Sequence, residues 1–155
     1  MSDSPTKHDR SATTGPVGDD REVDVEIVRG RAPEGTPTQV RSDTFTGTVY
    51  GDPVLPATDG TTIGSVTFTP GARTYWHSHT AGQLLVVTAG LGWVCTKGST
   101  PEVVRAGDLI WVPPGEEHWH GGTADTIMTH LAVSLGPTNW ADEVAQHDYL
   151  SREDT

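Results

Sequence analysis

Cysteine is almost missing from this 155-residue chain: Cys95 stands alone. An intramolecular disulfide is impossible, and there is no Cys-rich zinc motif. Cys95 lies in the apolar run Gly92-Trp93-Val94-Cys95, which reads as a buried, inert thiol. Long apolar runs are missing as well. No stretch approaches the ~20 apolar residues of a membrane helix. Residues 1–18 hold no apolar secretory core. The expectation is a cytoplasmic protein with no membrane partner. Basic residues are few, 10 against 21 acids, for a formal net charge of −11. Residues 1–43 carry nine acids and six bases, giving −3, and residues 44–155 carry twelve and four, giving −8. The acidity belongs mainly to the part expected to fold. It repels phosphate backbones, so nucleic acid is excluded as a partner.

Gly and Pro, at 18 and 11 residues, are plentiful and favour turns and short strands over long helices. Residues 1–41 are polar and rich in Ser, Thr, Gly, Pro and Asp, which predicts a flexible segment. Within it Val23, Val25 and Ile27 alternate with acids, making residues 23–28 a candidate edge strand for the barrel or for a partner subunit. One domain follows over residues 42–150, with a tail at 151–155. Strand signals recur at Phe45–Tyr50, Thr62–Thr69, Arg73–His79, Gln83–Thr88, Leu91–Thr96, Glu102–Arg105, Asp108–Val112, Glu117–His120 and Thr126–Leu135. Gly51–Pro56 and Ala89-Gly90 read as breaks. So many short strands with no helix between them predict an all-β fold, an antiparallel barrel or jelly roll. Thr138 reads as the N-cap of a C-terminal helix, with Trp140, Val144 and His147 on its apolar face.

Five of seven histidines, His77, His79, His118, His120 and His130, fall in the strand-rich region. His77 and His79 are two residues apart, so on a strand they share a face and can grip one ion. His118 and His120 have the same spacing. Along Thr126–Leu135, Met128, His130, Ala132 and Ser134 share one face, a mixed set suited to a cavity. Ile127, Thr129, Leu131 and Val133 share the other, an apolar set suited to packing or an oligomer contact. Arg73 has the parity of Tyr75, His77 and His79. It would bind a carboxylate substrate or, as favoured here, cap the barrel end. Trp76 and Trp111 read as packing residues.

The segment Gly71 to His79 with Gln83 and Gly90 resembles the first cupin motif, and Gly107 to Gly115 with His118 resembles the second. Two positions depart from it: Gln83 stands where the motif usually has Glu, and Gly122 where it usually has Asn. Further strings narrow the likeness. They are Phe45-Thr46-Gly47-Thr48-Val49, Pro70-Gly71-Ala72-Arg73-Thr74, His118-Trp119-His120-Gly121 and Met128-Thr129-His130-Leu131-Ala132. These are similar to the small single-domain bacterial cupins that include manganese-dependent hydroxynitrile lyases. The resemblance implies a cupin double-stranded β-helix with a short C-terminal helix. It implies metal ligands at His77, His79, Gln83 and His118, and a proton-carrying pocket histidine at His130. His120, on the face of His118, is the second candidate catalytic histidine by parity, or else it orients a ligand or fills the core. Val66, Met128 and Ser134 are expected to line the substrate pocket.

Three neutral imidazoles and a neutral amide leave a divalent ion its full charge, which strengthens it as a Lewis acid. The resemblance implies Mn(II), and the donor set is compatible with Fe(II), Zn(II) and Ni(II) as alternatives. The implied activity is that of a metal-dependent lyase, cleaving or forming cyanohydrins. Alternatives are a metal-dependent dioxygenase, an isomerase or decarboxylase, and a non-catalytic small-ligand-binding cupin. The expected partner is a small hydroxy or carbonyl compound. By fold analogy the chain is expected to form a homodimer or homotetramer.

Overall fold

A computed structural model of the chain describes residues 24–29 and 36–152. The rest of the expected flexible segment, Val23 and His8 included, lies outside the described residues, as do residues 153–155 of the tail. Residues 24–29 are neither strand nor helix, and Val25 and Ile27 are 81% and 66% exposed. The edge strand expected at 23–28 therefore does not join the barrel over its described part. Alternation gives these residues strand propensity, but no sheet edge among the described residues pairs with them.

Among the described residues there are twelve strands and one short helix. The first seven strands are β1 Gln39–Arg41, β2 Phe45–Thr46, β3 Val49–Thr58, β4 Thr61–Phe68, β5 Arg73–Thr74, β6 His77–His79 and β7 Gln83–Thr96. Then come β8 Glu102–Arg105, β9 Leu109–Val112, β10 His118–Gly122, β11 Met128–Leu135, β12 Thr138–Trp140 and α1 Gln146–Tyr149. Every pairing is antiparallel, and neighbours run β1-β3-β4-β11-β7-β10-β5-β2. The fold is the expected all-β jelly roll. No helix among the described residues is long and apolar enough to cross a membrane.

Strand β7 joins the two halves of the barrel. Its first residues, Gln83 to Val86, pair with β9 on one side and β11 on the other. Its last, from Gly92 to Val94, pair with β8 and β10. Between these stretches the β11 register shifts: Thr129 faces Ala89, but His130 faces Val87, leaving Thr88 as an extra residue. The bulge explains why Ala89-Gly90 reads as a break in the sequence although the strand continues through it.

Three other boundaries differ from expectation. Strand β3 runs through Gly51–Pro56. Its pairing with β1 ends at Gly51, so Pro53 and Pro56 deprive no β1 neighbour of a bond. Asp59-Gly60, both at positive φ, then turns the chain into β4. Arg73–His79 divides into β5 and β6, because Tyr75 and Trp76 leave the ladder to donate to the Thr44 and Asp142 carbonyls. The helix expected from Thr138 is instead β12, where Thr138 and Trp140 pair with His79 and His77. Of the expected apolar helix face only Val144 is buried, and α1 is four residues long.

Two apolar clusters hold the layers. Val49, Phe68, Ala72, Val87, Val104 and Met128 fill the barrel beside the histidines. Trp76, Trp93, Cys95, Trp119, Val144 and Tyr149 form the second, where the C-terminal segment covers the outer face of β7 and β10. Tyr149 closes it by donating its hydroxyl to the Gly122 carbonyl at 2.8 Å. Trp76 packs as expected, whereas Trp111 is 55% exposed on β9. Each fully buried large apolar side chain contributes about 1.5–3 kcal/mol relative to exposure.

Candidate metal centre

Strands β6, β7 and β10 bring His77, His79, Gln83 and His118 together, all nearly inaccessible to solvent. The ligand atoms of the three histidines lie within 4.8 Å of one another. Register explains the meeting: β10 pairs with β6 so that His118 stands opposite His77. Their rings are 4.2 Å apart between centroids.

Each ring is held by its Nδ1. His77 donates to the Tyr75 carbonyl at 2.8 Å and His118 to the Glu116 carbonyl at 3.0 Å. His79 Nδ1 meets Thr138 Oγ1 at 3.1 Å. With Nδ1 as the donor, Nε2 keeps its lone pair. Burial lowers all three imidazole pKa values, His79 to about 4, and neighbouring imidazoles push His77 and His79 further down. The cluster is thus neutral and electron-rich at pH 7, the state a metal requires.

Two observations fit a metal. His79 Nε2 is buried with no protein partner. Gln83 Oε1 faces His118 Nε2 at 3.1 Å, although His118 carries its proton on Nδ1. Two lone pairs face each other there, and a cation between them reconciles the contact. The amide nitrogen of Gln83 points away, donating to Ser134 Oγ at 3.0 Å. The residues present therefore fit one ion held by three Nε2 atoms and one amide oxygen.

The cluster opens into a cavity of about 360 Å³ lined by His77, His79 and Gln83, within the usual range for small-molecule sites. His118 is not among the residues lining that cavity and borders a smaller one of about 180 Å³. His120 and His130 line the main cavity from β10 and β11 and are bonded to each other, Nε2 of His130 to Nδ1 of His120, at 2.9 Å. Both are buried, His130 with its pKa lowered to about 4 and His120 well below the usual value, by burial before any other cause.

Val66 and Ser134 line this cavity, and so does Gly64. Met128 does not. It shares the parity of His130, but it lies deeper, packed with Phe68 and Val87 in the apolar cluster. Arg73 points away from the cavity. The break after Thr74 shifts the alternation, so Thr74 lines the cavity instead. Arg73 bonds the Gly71 and Val144 carbonyls and Gln146 Oε1, and lies over the Tyr149 ring, so it ties β5 to the C-terminal segment. Gly122, the other departure from the motif, stands where a Cβ would come within 2.7 Å of the Thr126 carbonyl oxygen. Sequence reading missed Trp140, whose ring lies 4.6 Å from His77 and 5.9 Å from Phe45 on the cavity wall. A helical period was assigned to it, and only the pairing of β12 with β6 reveals its place.

The Cupin domain family matches residues 64–134. Over 114 residues the chain is 46% identical to an (R)-mandelonitrile lyase from Granulicella tundricola, covering 70% of this chain and 87% of that one. The chain belongs to the cupin family. Among solved structures, this cupin resembles a cupin-like protein from Thermotoga maritima at 33% identity and a TM-score of 0.69, over 81% of this chain and 96% of that one. It also shares its fold with a polyketide cyclase from Streptomyces resistomycificus, at 15% identity and a TM-score of 0.62, over 82% and 94% of the two chains.

Proposed function

We propose that this cupin is a metal-dependent lyase of the hydroxynitrile lyase type, cleaving cyanohydrins to aldehyde and cyanide or forming them. The observation that carries the reading is the bonded pair His120–His130 on the wall of the cavity that also exposes the metal-ligand cluster. The 46% identity to an (R)-mandelonitrile lyase supports it.

His77, His79, His118 and Gln83 would hold the ion: Mn(II) from the likeness to the manganese-dependent lyases, with Fe(II), Zn(II) and Ni(II) as alternatives that the same donor set accommodates. The ion supplies Lewis acidity toward a hydroxyl or carbonyl oxygen. The His120–His130 pair takes the hydroxyl proton of R–CH(OH)–CN. The O–H electrons form the carbonyl bond, the C–CN bond breaks, and its electron pair leaves with cyanide. The imidazolium then returns the proton to cyanide, giving HCN. No electron is gained or lost overall. Phe45, Phe68, Val66 and Trp140 supply an apolar wall for R. The homodimer or homotetramer remains part of the proposal, supported by Leu109 and Trp111, 68% and 55% exposed on β9.

The test is to purify the protein with Mn(II), add racemic mandelonitrile and follow benzaldehyde. Metal-dependent release above the metal-free control is expected. Release equal to that control would sink the reading.

A further inference from the structure

The four ligand side chains are supported in two different ways. His77 and His118 are each fixed from within their own chain segment, by the carbonyl two residues earlier. His79 and Gln83 have no such local support. Both lean on hydroxyls of one distant segment, residues 134–138. Thr138 Oγ1 meets His79 Nδ1, and Ser134 Oγ accepts from Gln83 Nε2.

Register makes this arrangement specific. Ser134 is the cross-strand partner of Gln83, and Thr138 is the cross-strand partner of His79. Between them Gly136, at a φ of 70°, turns the chain from β11 into β12. Its N–H is tied to the Gly60 carbonyl at 2.7 Å. The Leu135 and Pro137 carbonyls accept from Ala81 and Thr80, which lie between the two ligands in sequence. One short segment thus grips the β6–β7 connection along its length and presents a hydroxyl to the ligand on each side.

We propose that Ser134 and Thr138 are positioning residues of the metal centre. Gln83 has three rotatable side-chain bonds, and an unanchored amide would lose aim and affinity together. Holding its nitrogen at Ser134 turns Oε1 toward the histidines. Accepting the Nδ1 proton at Thr138 leaves the His79 Nε2 lone pair free for the ion. Partners of this kind that orient ligands typically contribute 10–100-fold in metal affinity. The inference rests on the metal-site reading but not on the lyase reaction, because its readout is metal binding.

The experiment measures Mn(II) and Zn(II) dissociation constants by titration calorimetry. The proteins are the full chain and its Ser134→Ala, Ser134→Thr, Thr138→Val and Thr138→Ser variants, plus the Ser134→Ala/Thr138→Val double variant. Ser134→Ala and Thr138→Val are expected to weaken binding about tenfold each and about a hundredfold together. Ser134→Thr and Thr138→Ser, which keep the hydroxyl, restore it. Metal-free melting temperatures fall modestly in Ser134→Ala, where the buried Gln83 amide loses its acceptor, and return in the hydroxyl-bearing variants. Wild-type affinity in the double variant, or no rescue by the hydroxyl-bearing substitutions, overturns the proposal while leaving the metal site intact. A wild-type protein that binds neither ion overturns the metal reading and this inference together.

Discussion

His130 Nε2 lies 2.9 Å from His120 Nδ1, so one proton serves both atoms, and its position decides which of the two rings is the base. If His120 donates, its Nε2 is the bare nitrogen. If His130 donates, the bare nitrogen is its own Nδ1. Neither of these outer atoms has a protein partner. The pair therefore always keeps one lone pair that its internal bond does not use.

Replacing His130 with Phe removes that relay without touching a proposed ligand. The expected result is a loss of cyanohydrin cleavage of about a hundredfold or more, the usual scale of acid–base catalysis, with the metal content unchanged. Metal analysis beside the benzaldehyde assay checks it. Retained activity would assign proton transfer to another group.

Acid should destabilise the metal-free protein in a defined window. The pKa values of His79 and His130 are about 4 in the folded chain, against about 6.5 in an unfolded one. Between those values the unfolded chain binds protons that the folded chain refuses, so stability falls as pH drops from about 6.5 toward about 4. Above about 6.5 this contribution is complete. Urea midpoints measured across pH 4–8 should follow that course, and a flat profile would contradict it.

Metal should raise stability by mass action. At a free Mn(II) concentration ~100 times Kd the gain is about 2.7 kcal/mol, seen as a higher Tm that chelation reverses. In His77→Ala the same addition should give no shift, because the ligand opposite His118 is gone.

Met128→Ala should separate packing from chemistry. Met128 is 1% exposed in the apolar cluster and lies off the cavity wall. The change should cost about 2–5 kcal/mol in stability, with metal affinity retained. Equal losses of both would place Met128 at the site after all.

Cys95 should be inert. Burial, helped by Asp148 and Glu102, raises its pKa to about 11. Thiol-specific alkylation at pH 8 should be slow in the native protein and fast in guanidinium. Rapid native labelling would show that the covering segment opens.

The legible part of this protein was its alternation. The His-x-His spacing, the strand carrying His118 and His120, and the face shared by His130 and Ser134 all depend on a period of two, which one sequence displays directly. The illegible part was wherever that period is reset. Met128 has the right parity but the wrong depth, because parity says which face a side chain takes and nothing of how far along the barrel it sits. Arg73 was aligned with His77 across two residues that leave the ladder. Trp140 and Thr138 carry a helical pattern, yet they are held as a strand by partners 59 and more positions away. Non-local pairing of this kind leaves no local trace.

The extra residue Thr88 carries a final consequence. Its side chain is solvent-exposed and donates to the Thr129 carbonyl at 3.3 Å, so its identity should be free to vary. Its presence does something different. With Thr88 deleted, Val87 and Ala89 would be neighbours opposite His130 and Thr129, so the ladder would close without a shift and both ends of β7 would keep their faces. What would go is the local bend and extra twist that a bulge gives a strand, so this surface position shapes the curvature of the barrel wall and not its alternation.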